Sequence, residues 1–278
     1  MTVSSAPQLG ILADLLVCPA CHADLAGGPG QLFCTSCNSV YPLHGPDDSI
    51  PWFAQPDQAA LEGTRDGPDR KRYEWKYQQD AGAERYDTSF HEQPRKRRRT
   101  RREQEIVDQL LSGQLRCTTL LDVPCGGGRL SAPLAAKTEY LLEADISPAQ
   151  LQLSLGRKRG GKPPVGIVLS ALQLPLPDNA LDGAVCARLS HHLPEARERE
   201  QIITELLRVS RRFVIFSFTD RRSMQSFSRK LRSKALNPSA MLPEEIDSVA
   251  RRCGARMEHC LTVSSLGPRH RYALLIKE

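Results

Sequence analysis

Four cysteines near the start of the chain are paired in the way that metal-binding knuckles require. Cys18 and Cys21 form one C-x2-C pair, and Cys34 and Cys37 form a second pair after twelve intervening residues. Each pair can turn two sulfurs toward one ion, so the two pairs supply four thiolates for tetrahedral Zn²⁺. Four thiolates leave no coordination position for water, and the spacing therefore predicts a structural zinc site and not a catalytic one.

The sequence around these cysteines resembles a small zinc-ribbon protein that activates tRNA and translation-factor methyltransferases. The resemblance rests on Leu15-Leu16-Val17 before the first knuckle, Tyr41-Pro42 after the second, and Ile50-Pro51 at the end of the segment. It is confined to residues 1–55. A module of that size buries little apolar core, so the metal is expected to supply much of its folding energy.

A glycine-rich stretch, LLDVPCGGGRL, carries a second kind of chemistry. Asp122 ends an apolar run, and glycines 126–128 follow, where the backbone can approach a ligand closely. A dinucleotide would require G-x-G-x-x-G, whose last glycine is replaced by Ser131, although Asp145 stands where that motif needs a ribose-binding acid. The Asp122 carboxylate suits a cofactor that has an ammonium group and no phosphate, which favours S-adenosylmethionine.

The order of the motifs resembles class I S-adenosylmethionine-dependent methyltransferases over residues 106–278. In that family an acid and glycine turn, a second acid, an adenine-lining segment and a Leu-Pro segment before the fourth strand follow one another, as they do here. One departure is Ser170, which stands where the adenine position often carries Asp. The predicted cofactor-binding residues are Asp122, Pro124, Cys125, Gly126, Gly128, Asp145, Ile146, Ser170, Ala171, Leu172 and Arg188.

Short apolar runs alternate with helical segments from residue 106 onward. The runs rich in Val, Ile and Leu lie at 117–123, 139–145, 165–170, 181–187 and 213–218. Ser147-Pro148 and Pro194 mark helix starts, and a helix over 242–253 precedes two runs that predict an antiparallel hairpin. The pattern predicts an α/β fold with a doubly wound, mostly parallel seven-stranded sheet, preceded by the small zinc ribbon.

The domains are predicted to be a zinc-ribbon module (1–55), a linker or lid (56–105) and a methyltransferase domain (106–278). The middle segment holds aromatic residues that predict a lid over the pocket or, equally, a helix stripe packed on the core: Tyr73, Trp75, Tyr77 and Tyr86. It ends in seven basic side chains from Arg95 to Arg102, a large share of the excess behind the formal net charge of +6. This run favours RNA as a partner, although a solvated helix face or a flexible linker would have the same composition.

Two adjacent histidines follow the fourth predicted strand of the sheet, which faces the methyl group in the resembled family. Methyl transfer from a sulfonium mainly requires that nucleophile, methyl and sulfur be held in line. If the acceptor must lose a proton, His191 or His192 is the predicted general base, with His191 preferred. Capping of the next helix or exposure to solvent accounts for these histidines equally well.

Three functions remain open from the sequence. The first is methylation of rRNA or tRNA, since a zinc module followed by a methyltransferase resembles bacterial rRNA guanine methyltransferases. An aromatic content of 5% weighs against base stacking. The second is methylation of a small molecule of the quinone or natural-product type, or of a protein side chain. The third is a non-catalytic adaptor that retains the cofactor fold.

The cellular location is also predicted from the sequence. No apolar stretch approaches the ~18 residues of a membrane helix, and the N-terminal segment lacks a basic leader and is interrupted by Asp14. We therefore expect a cytoplasmic protein with no membrane partner. The oligomeric state stays open.

Overall fold

Two β-sheets, one of four strands and one of seven, organise the part of the chain that the structure describes. The computed structural model describes residues 7–45, 48–54, 80–157, 160, 162–222, 238–263 and 270–278. Within these ranges, no helix combines the length and the apolar character needed to cross a membrane.

The larger sheet is the predicted doubly wound α/β sheet. Its strands are β5 (Cys117–Asp122), β6 (Thr138–Asp145), β7 (Val165–Val168), β8 (Leu181–Cys186), β9 (Ser210–Thr219), β10 (Ala255–Thr262) and β11 (His270–Lys277). They lie in the order β10-β11-β9-β8-β5-β6-β7. The five strands from β9 to β7 are parallel, and β11 runs antiparallel between β9 and β10. The prediction of a mostly parallel seven-stranded sheet is confirmed.

Helices cover both faces of this sheet. They are α1 (Asp80–Glu92), α2 (Pro94–Ser112), α3 (Ser131–Ala135), α4 (Pro148–Leu155), α5 (Ala196–Val209) and α6 (Pro243–Arg252), with 3₁₀ helices at Pro7–Asp14 and Ser190–His192. Ser147 caps α4 by accepting a hydrogen bond from the Gln150 amide at 3.3 Å, as its Ser-Pro pair predicted. The helix predicted to begin at Pro194 begins two residues later, because Glu195 adopts the extended cap conformation.

The smaller sheet forms the N-terminal module. Its strands are antiparallel and comprise β1 (Leu25–Gly28), β2 (Gln31–Cys34), β3 (Val40–His44) and β4 (Ile50–Pro51). Burial alternates along β2 and β3, as in a sheet with one face on the core. Leu9 and Leu12 of the first 3₁₀ helix pack with Leu32 and Leu43 in that core.

The module is joined to the larger sheet beside β7. Trp52 forms a parallel bridge with Val168, and the Phe53 amide donates to the Val168 carbonyl oxygen at 2.7 Å. The Val17 amide donates to the Pro175 carbonyl oxygen at 3.0 Å. Buried apolar residues of the module and of one face of the larger sheet belong to a single cluster, so the two parts are packed together and not only tethered.

Helix α2 carries the basic run. It is continuous across residues 105 and 106, where the sequence predicted the boundary between the linker and the methyltransferase domain. Its second half buries Ile106, Val107, Leu110 and Leu111 against the larger sheet. Most of the basic side chains of its first half are exposed. Residues 56–79 of the predicted linker or lid, with Tyr73, Trp75 and Tyr77, lie outside the described residues.

Candidate cofactor and acceptor site

The turn that follows β5 is closely packed at its last two positions. The φ angle of Gly128 is +76°, and a Cβ atom there would lie 2.5 Å from Ser154 Oγ. A Cβ atom on Gly127 would lie 2.6 Å from Asp87 Oδ1 of α1. Glycine is required at position 128, because its φ lies in the left-handed region, whereas a side chain at position 127 would only require the Asp87 carboxylate to move.

A buried carboxylate that the sequence analysis missed supports this turn from below. Glu143 of β6 accepts hydrogen bonds from the hydroxyl groups of Ser131 and Ser154, the latter at 2.6 Å. It thereby fixes the first residues of α3 and the last turn of α4 on the sheet. Its spacing from Asp145 could have revealed Glu143 in the sequence. Residues two apart on a strand share a face, so Glu143 lies on the same face as Asp145.

Asp145 ends β6 and holds the start of the glycine turn. Its Oδ2 atom accepts a hydrogen bond from the Gly126 amide and its Oδ1 atom accepts one from the Ser147 amide, both at 2.9 Å. Burial raises the pKa of the Asp145 carboxyl to about 6, although these amide donors oppose the shift. The carboxylate lies at the carboxyl edge of the sheet, where its remaining lone pairs can accept ribose hydroxyl groups.

An apolar cavity opens between the carboxyl ends of β5, β6, β7 and β8. Six predicted site residues line it: Pro124, Ile146, Ser170, Ala171, Leu172 and His192. Asp122 is buried immediately before Val123, another lining residue. Apolar walls with few polar groups fit a planar adenine ring, and the structure brings the predicted cofactor segments together around this cavity.

The side-chain amide of Gln150 gives a direct test of whether a polar cofactor fits beside the turn. Gln150 is buried in the first turn of α4, and neither its Nε2 nor its Oε1 atom has a hydrogen-bond partner among the described residues. Its Oε1 atom would lie 3.7 Å from a Cβ atom on Gly126. Since buried amides are rarely left unsatisfied, Gln150 fits a group that supplies hydroxyl or amine partners, as S-adenosylmethionine does.

The two predicted bases lie on the short 3₁₀ helix after β8 and face different neighbours. Their ring centroids are 3.8 Å apart, and His191 also meets His270 of β11 edge-on at 5.7 Å. Burial, with the positive charge of Arg188, lowers the pKa of His191 to about 2 and that of His192 to about 4. Both imidazoles are neutral at pH 7, and His192 lines the cavity.

Two of the predicted cofactor residues are directed away from the cavity. Arg188, with φ of +63°, turns its guanidinium to Glu103 of α2 at 2.9 Å. Cys125 is packed in the small cluster of Ile50, Leu151 and Val168, and burial raises the pKa of its thiol well above its ordinary value. Cys125 therefore stays a thiol in the wall behind the turn, and the guanidinium of Arg188 lies against α2.

The four cysteines of the module are arranged as a metal site requires. Their sulfur atoms all lie within 4.8 Å of one another. The Cys18–Cys37 and Cys21–Cys34 sulfurs are 3.6 and 3.4 Å apart, close to the roughly 3.8 Å edge of a tetrahedron with Zn–S bonds of about 2.3 Å. The amides of Ser36 and Cys37 donate to Cys34 Sγ at 3.4 Å, which stabilises a thiolate. The cluster fits the predicted structural Zn²⁺.

A basic groove lies beside the glycine turn, between α2 and the start of α3. It is lined by Arg97, Arg101, Arg129, Arg157 and Phe90, among others. Arg157 is held by Asp87 at 2.5 Å, and the guanidinium carbon of Arg129 lies 4.4 Å from the Phe90 ring centroid. Phe90 is buried, so the groove presents guanidinium groups and no stacking surface from this ring.

Comparisons with known proteins agree with this geometry. Residues 121–218 match a family described as "Methyltransferase domain", a stretch that begins at the end of β5 and closes within β9. A comparison with curated protein sequences finds no significant match.

Solved structures share the fold at low sequence identity. Magnesium protoporphyrin IX methyltransferase from Synechocystis aligns with a TM-score of 0.60 and 18% identity, covering 76% of this chain and all of that one. The N-methyltransferase NodS from Bradyrhizobium japonicum gives a TM-score of 0.52 and 13% identity, with 64% and 95% covered. A methyltransferase from Clostridium acetobutylicum gives 0.54 and 13%, with 70% and 98% covered.

Proposed function

We propose that this S-adenosylmethionine-dependent methyltransferase transfers its methyl group to RNA. The observation that carries the proposal is the position of the basic half of α2 relative to the cavity. Helix α2 leads into the amino end of β5, so its other end lies at the carboxyl edge of the sheet, where the cavity opens. An acceptor that enters the cavity from this edge can contact this helix.

The basic half of α2 extends beyond the sheet. Glu103 contacts Arg188 just past the end of β8, and the nine residues from Pro94 to Arg102 continue the helix for about 13 Å at about 1.5 Å per residue. Five exposed guanidinium groups stand on this extension: Arg95, Arg97, Arg98, Arg101 and Arg102. A row of fixed charges of this length suits a polyanion that spans several phosphates.

The groove beside α2 argues for recognition through the phosphate backbone. Its arginines include Arg97 and Arg101 of α2 and continue through Arg129 to Arg157 next to the glycine turn. Phe90, an aromatic residue that lines the groove, is buried and offers no stacking platform there, and the aromatic content of the chain is only 5%. Phosphate contacts position a strand without reading its sequence, so the target base is selected inside the cavity.

Each side of the site has its own part in the reaction. S-adenosylmethionine, when bound, supplies a methyl group on a sulfonium that leaves without prior proton transfer. The apolar cavity, Asp145 and Gln150 hold the adenosyl part and exclude water from it. His192 lines the cavity with a neutral imidazole, which can hydrogen-bond the acceptor. Because protonation of His191 is strongly disfavoured, His192 is the better of the two candidate bases.

The zinc module supports the cofactor cavity in this proposal. The Gln173 side chain donates to the Pro19 carbonyl oxygen inside the first knuckle, and the Val17 amide binds Pro175. Both contacts hold the segment that follows the cavity-lining residues 170–172. Four sulfur ligands leave the metal closed to substrate, so zinc stabilises the cofactor loop and takes no direct part in methyl transfer.

RNA binding measured against salt tests the proposal. A mixed-sequence single-stranded RNA should bind the wild-type chain with an affinity that falls steeply with salt, and the R97Q/R101Q variant should show a log–log slope smaller by about 1.5 to 2. The control variant R251Q/R252Q removes the same charge from exposed residues at the end of α6, which packs on the opposite face of the sheet from α2.

The charge-matched control distinguishes the position of the removed charges from their number. Equal losses in both variants would reduce the effect to net charge, and an affinity that does not change with salt would rule out the phosphate contacts. Either result contradicts RNA docking along α2.

A further inference from the structure

Three arginines converge on one buried carboxylate at the acceptor side of the cavity. Glu103 Oε1 accepts hydrogen bonds from Arg188 Nη1 at 2.9 Å and from Arg99 Nε at 3.2 Å. Its Oε2 atom accepts one from Arg129 Nη1 at 3.3 Å. Glu103 is only 1% exposed. The three arginines come from α2, the glycine turn and the end of β8, so the carboxylate ties three elements together.

This cluster has more donors and more positive charge than its single carboxylate can satisfy. Three guanidinium groups and one carboxylate leave an excess of two positive charges among the described residues. Arg99 Nη2 is buried and has no acceptor there, and the same holds for the fully buried Tyr272 hydroxyl beside it. Buried donors without acceptors are costly, so the cluster is suited to an added oxyanion.

Three imidazoles extend the cluster toward the cavity. His191 lies between His192 and His270, and burial with the charge of Arg188 keeps all three neutral, the pKa of His270 being lowered to about 3. A neutral imidazole donates one N–H group and adds no charge. The positive charge of Arg99 also lies close enough to His191 and His270 to lower the pKa of both imidazoles.

The backbone of Arg188 is held in an uncommon conformation that fixes the cluster beside the cavity. Its φ of +63° lies in the left-handed region, and its amide donates to Ser217 Oγ of β9 at 2.6 Å. Non-glycine residues in this region concentrate at functional sites. Arg188 immediately precedes Leu189, and both Leu189 and His192 line the cavity, so the backbone of Arg188 borders the cavity.

We propose that Arg188 and Arg99, with the N–H groups of the three histidines, bind a phosphate of the acceptor adjacent to the nucleotide that is methylated. The nucleotide identity of the acceptor rests on the proposed function, whereas the oxyanion subsite rests on the cluster alone. Planar guanidinium groups match the two-oxygen face of a phosphate. The bound phosphate fixes the acceptor base in line with the methyl group, which makes Arg188 a positioning and specificity residue.

Inorganic phosphate is the probe for the subsite. In full-length protein with ¹⁵N-labelled histidine, phosphate at constant pH and ionic strength should shift the resonances of His191, His192 and His270 with one saturable dissociation constant. His22, His44 and His259 lie elsewhere in the chain and serve as internal references. R188Q and R99Q should each weaken phosphate binding by about tenfold or more, and R251Q should leave it unchanged.

Two further variants distinguish the loss of a phosphate contact from a failure of the protein to fold. R99Q keeps the Arg188–Glu103 pair and alters only a half-exposed arginine, so it tests the subsite if R188Q fails to fold. R188K keeps the charge and should retain part of the phosphate affinity. Equal shifts at all histidines, shifts that do not saturate, or unchanged affinity in both R188Q and R99Q would overturn the subsite.

Methyl transfer to RNA distinguishes the inner subsite from the outer groove. R188Q should lower kcat, because the acceptor is misplaced, with little change in the salt dependence of RNA binding. R97Q/R101Q should raise KM and reduce that salt dependence. Phosphate binding without any methylation of RNA would retain the subsite and reject RNA as acceptor, whereas methylation of RNA with unchanged kcat in R188Q and R99Q would reject the subsite alone.

Discussion

The two sides of the catalytic edge have opposite electrostatic character. The cofactor side is an apolar cavity bordered by carboxylates, with Asp122 and Asp145 at the ends of adjacent strands. The acceptor side gathers Arg99, Arg129 and Arg188 around one carboxylate and continues into the exposed basic face of α2. Under the proposed function, one edge of the sheet holds a cationic cofactor and an anionic acceptor side by side, each attracted to its own half.

Removal of the Asp145 carboxylate should have the largest effect, and it should be confined to the cofactor side. Asp145→Ala takes away an acceptor for ribose hydroxyls and for the Gly126 amide. A hydrogen bond to a charged group contributes about 1.5 to 3 kcal/mol, so calorimetry should show S-adenosylmethionine affinity reduced by about tenfold to a hundredfold. Phosphate binding at the arginine cluster should not change; a parallel loss would mean that the two sides are not independent.

The raised pKa of Asp145 leads us to expect that cofactor affinity depends on pH. The pKa of Asp145 is raised to about 6 by burial, and the ionised form is the one that accepts two ribose hydroxyls. Cofactor affinity should therefore be full above pH 7 and fall as the carboxyl is protonated below about pH 6. An Asp145→Asn variant should lose this dependence. If wild type and variant fall alike, another group is responsible.

Zinc removal should have the next largest effect, again on the cofactor side. Chelation or Cys34→Ser should unfold the module, because structural zinc supplies folding energy directly, and the contacts of Pro19 and Val17 with residues 173–175 would be lost. We expect cofactor affinity to fall by about tenfold (about 1.4 kcal/mol). Circular dichroism with metal analysis checks the unfolding, and full cofactor affinity in metal-free protein would refute the supporting role.

The smallest expected effect concerns Gln150. Replacement by Leu removes an amide whose two polar atoms have no partner among the described residues and keeps most of its volume. If the amide hydrogen-bonds the cofactor, affinity should fall by about two- to tenfold while thermal stability rises slightly, since a buried polar group is lost. An increase in both cofactor affinity and thermal stability would show that Gln150 does not contact the cofactor.

The cofactor side was largely predictable from sequence, and the acceptor side was not. Asp122, the glycines and Asp145 stand at the ends of short apolar runs, and parallel strands bring their carboxyl ends to one edge whatever the loops do. Glu143 and Gln150 escaped because a polar residue inside a strand or a helix looks like an exposed one. Glu103 and Arg188 are 85 positions apart, so no local pattern could pair them; Arg188 was predicted as a cofactor residue, and in the structure its guanidinium contacts Glu103.

Transfer of a tritiated methyl group from labelled S-adenosylmethionine into fractionated cell extract tests the central claim most directly. We predict that the label enters RNA and is released by ribonuclease. The amount of label in RNA should decrease in R97Q/R101Q but not in R251Q/R252Q. Label that resists ribonuclease and stays in the small-molecule or protein fraction would contradict RNA as the acceptor.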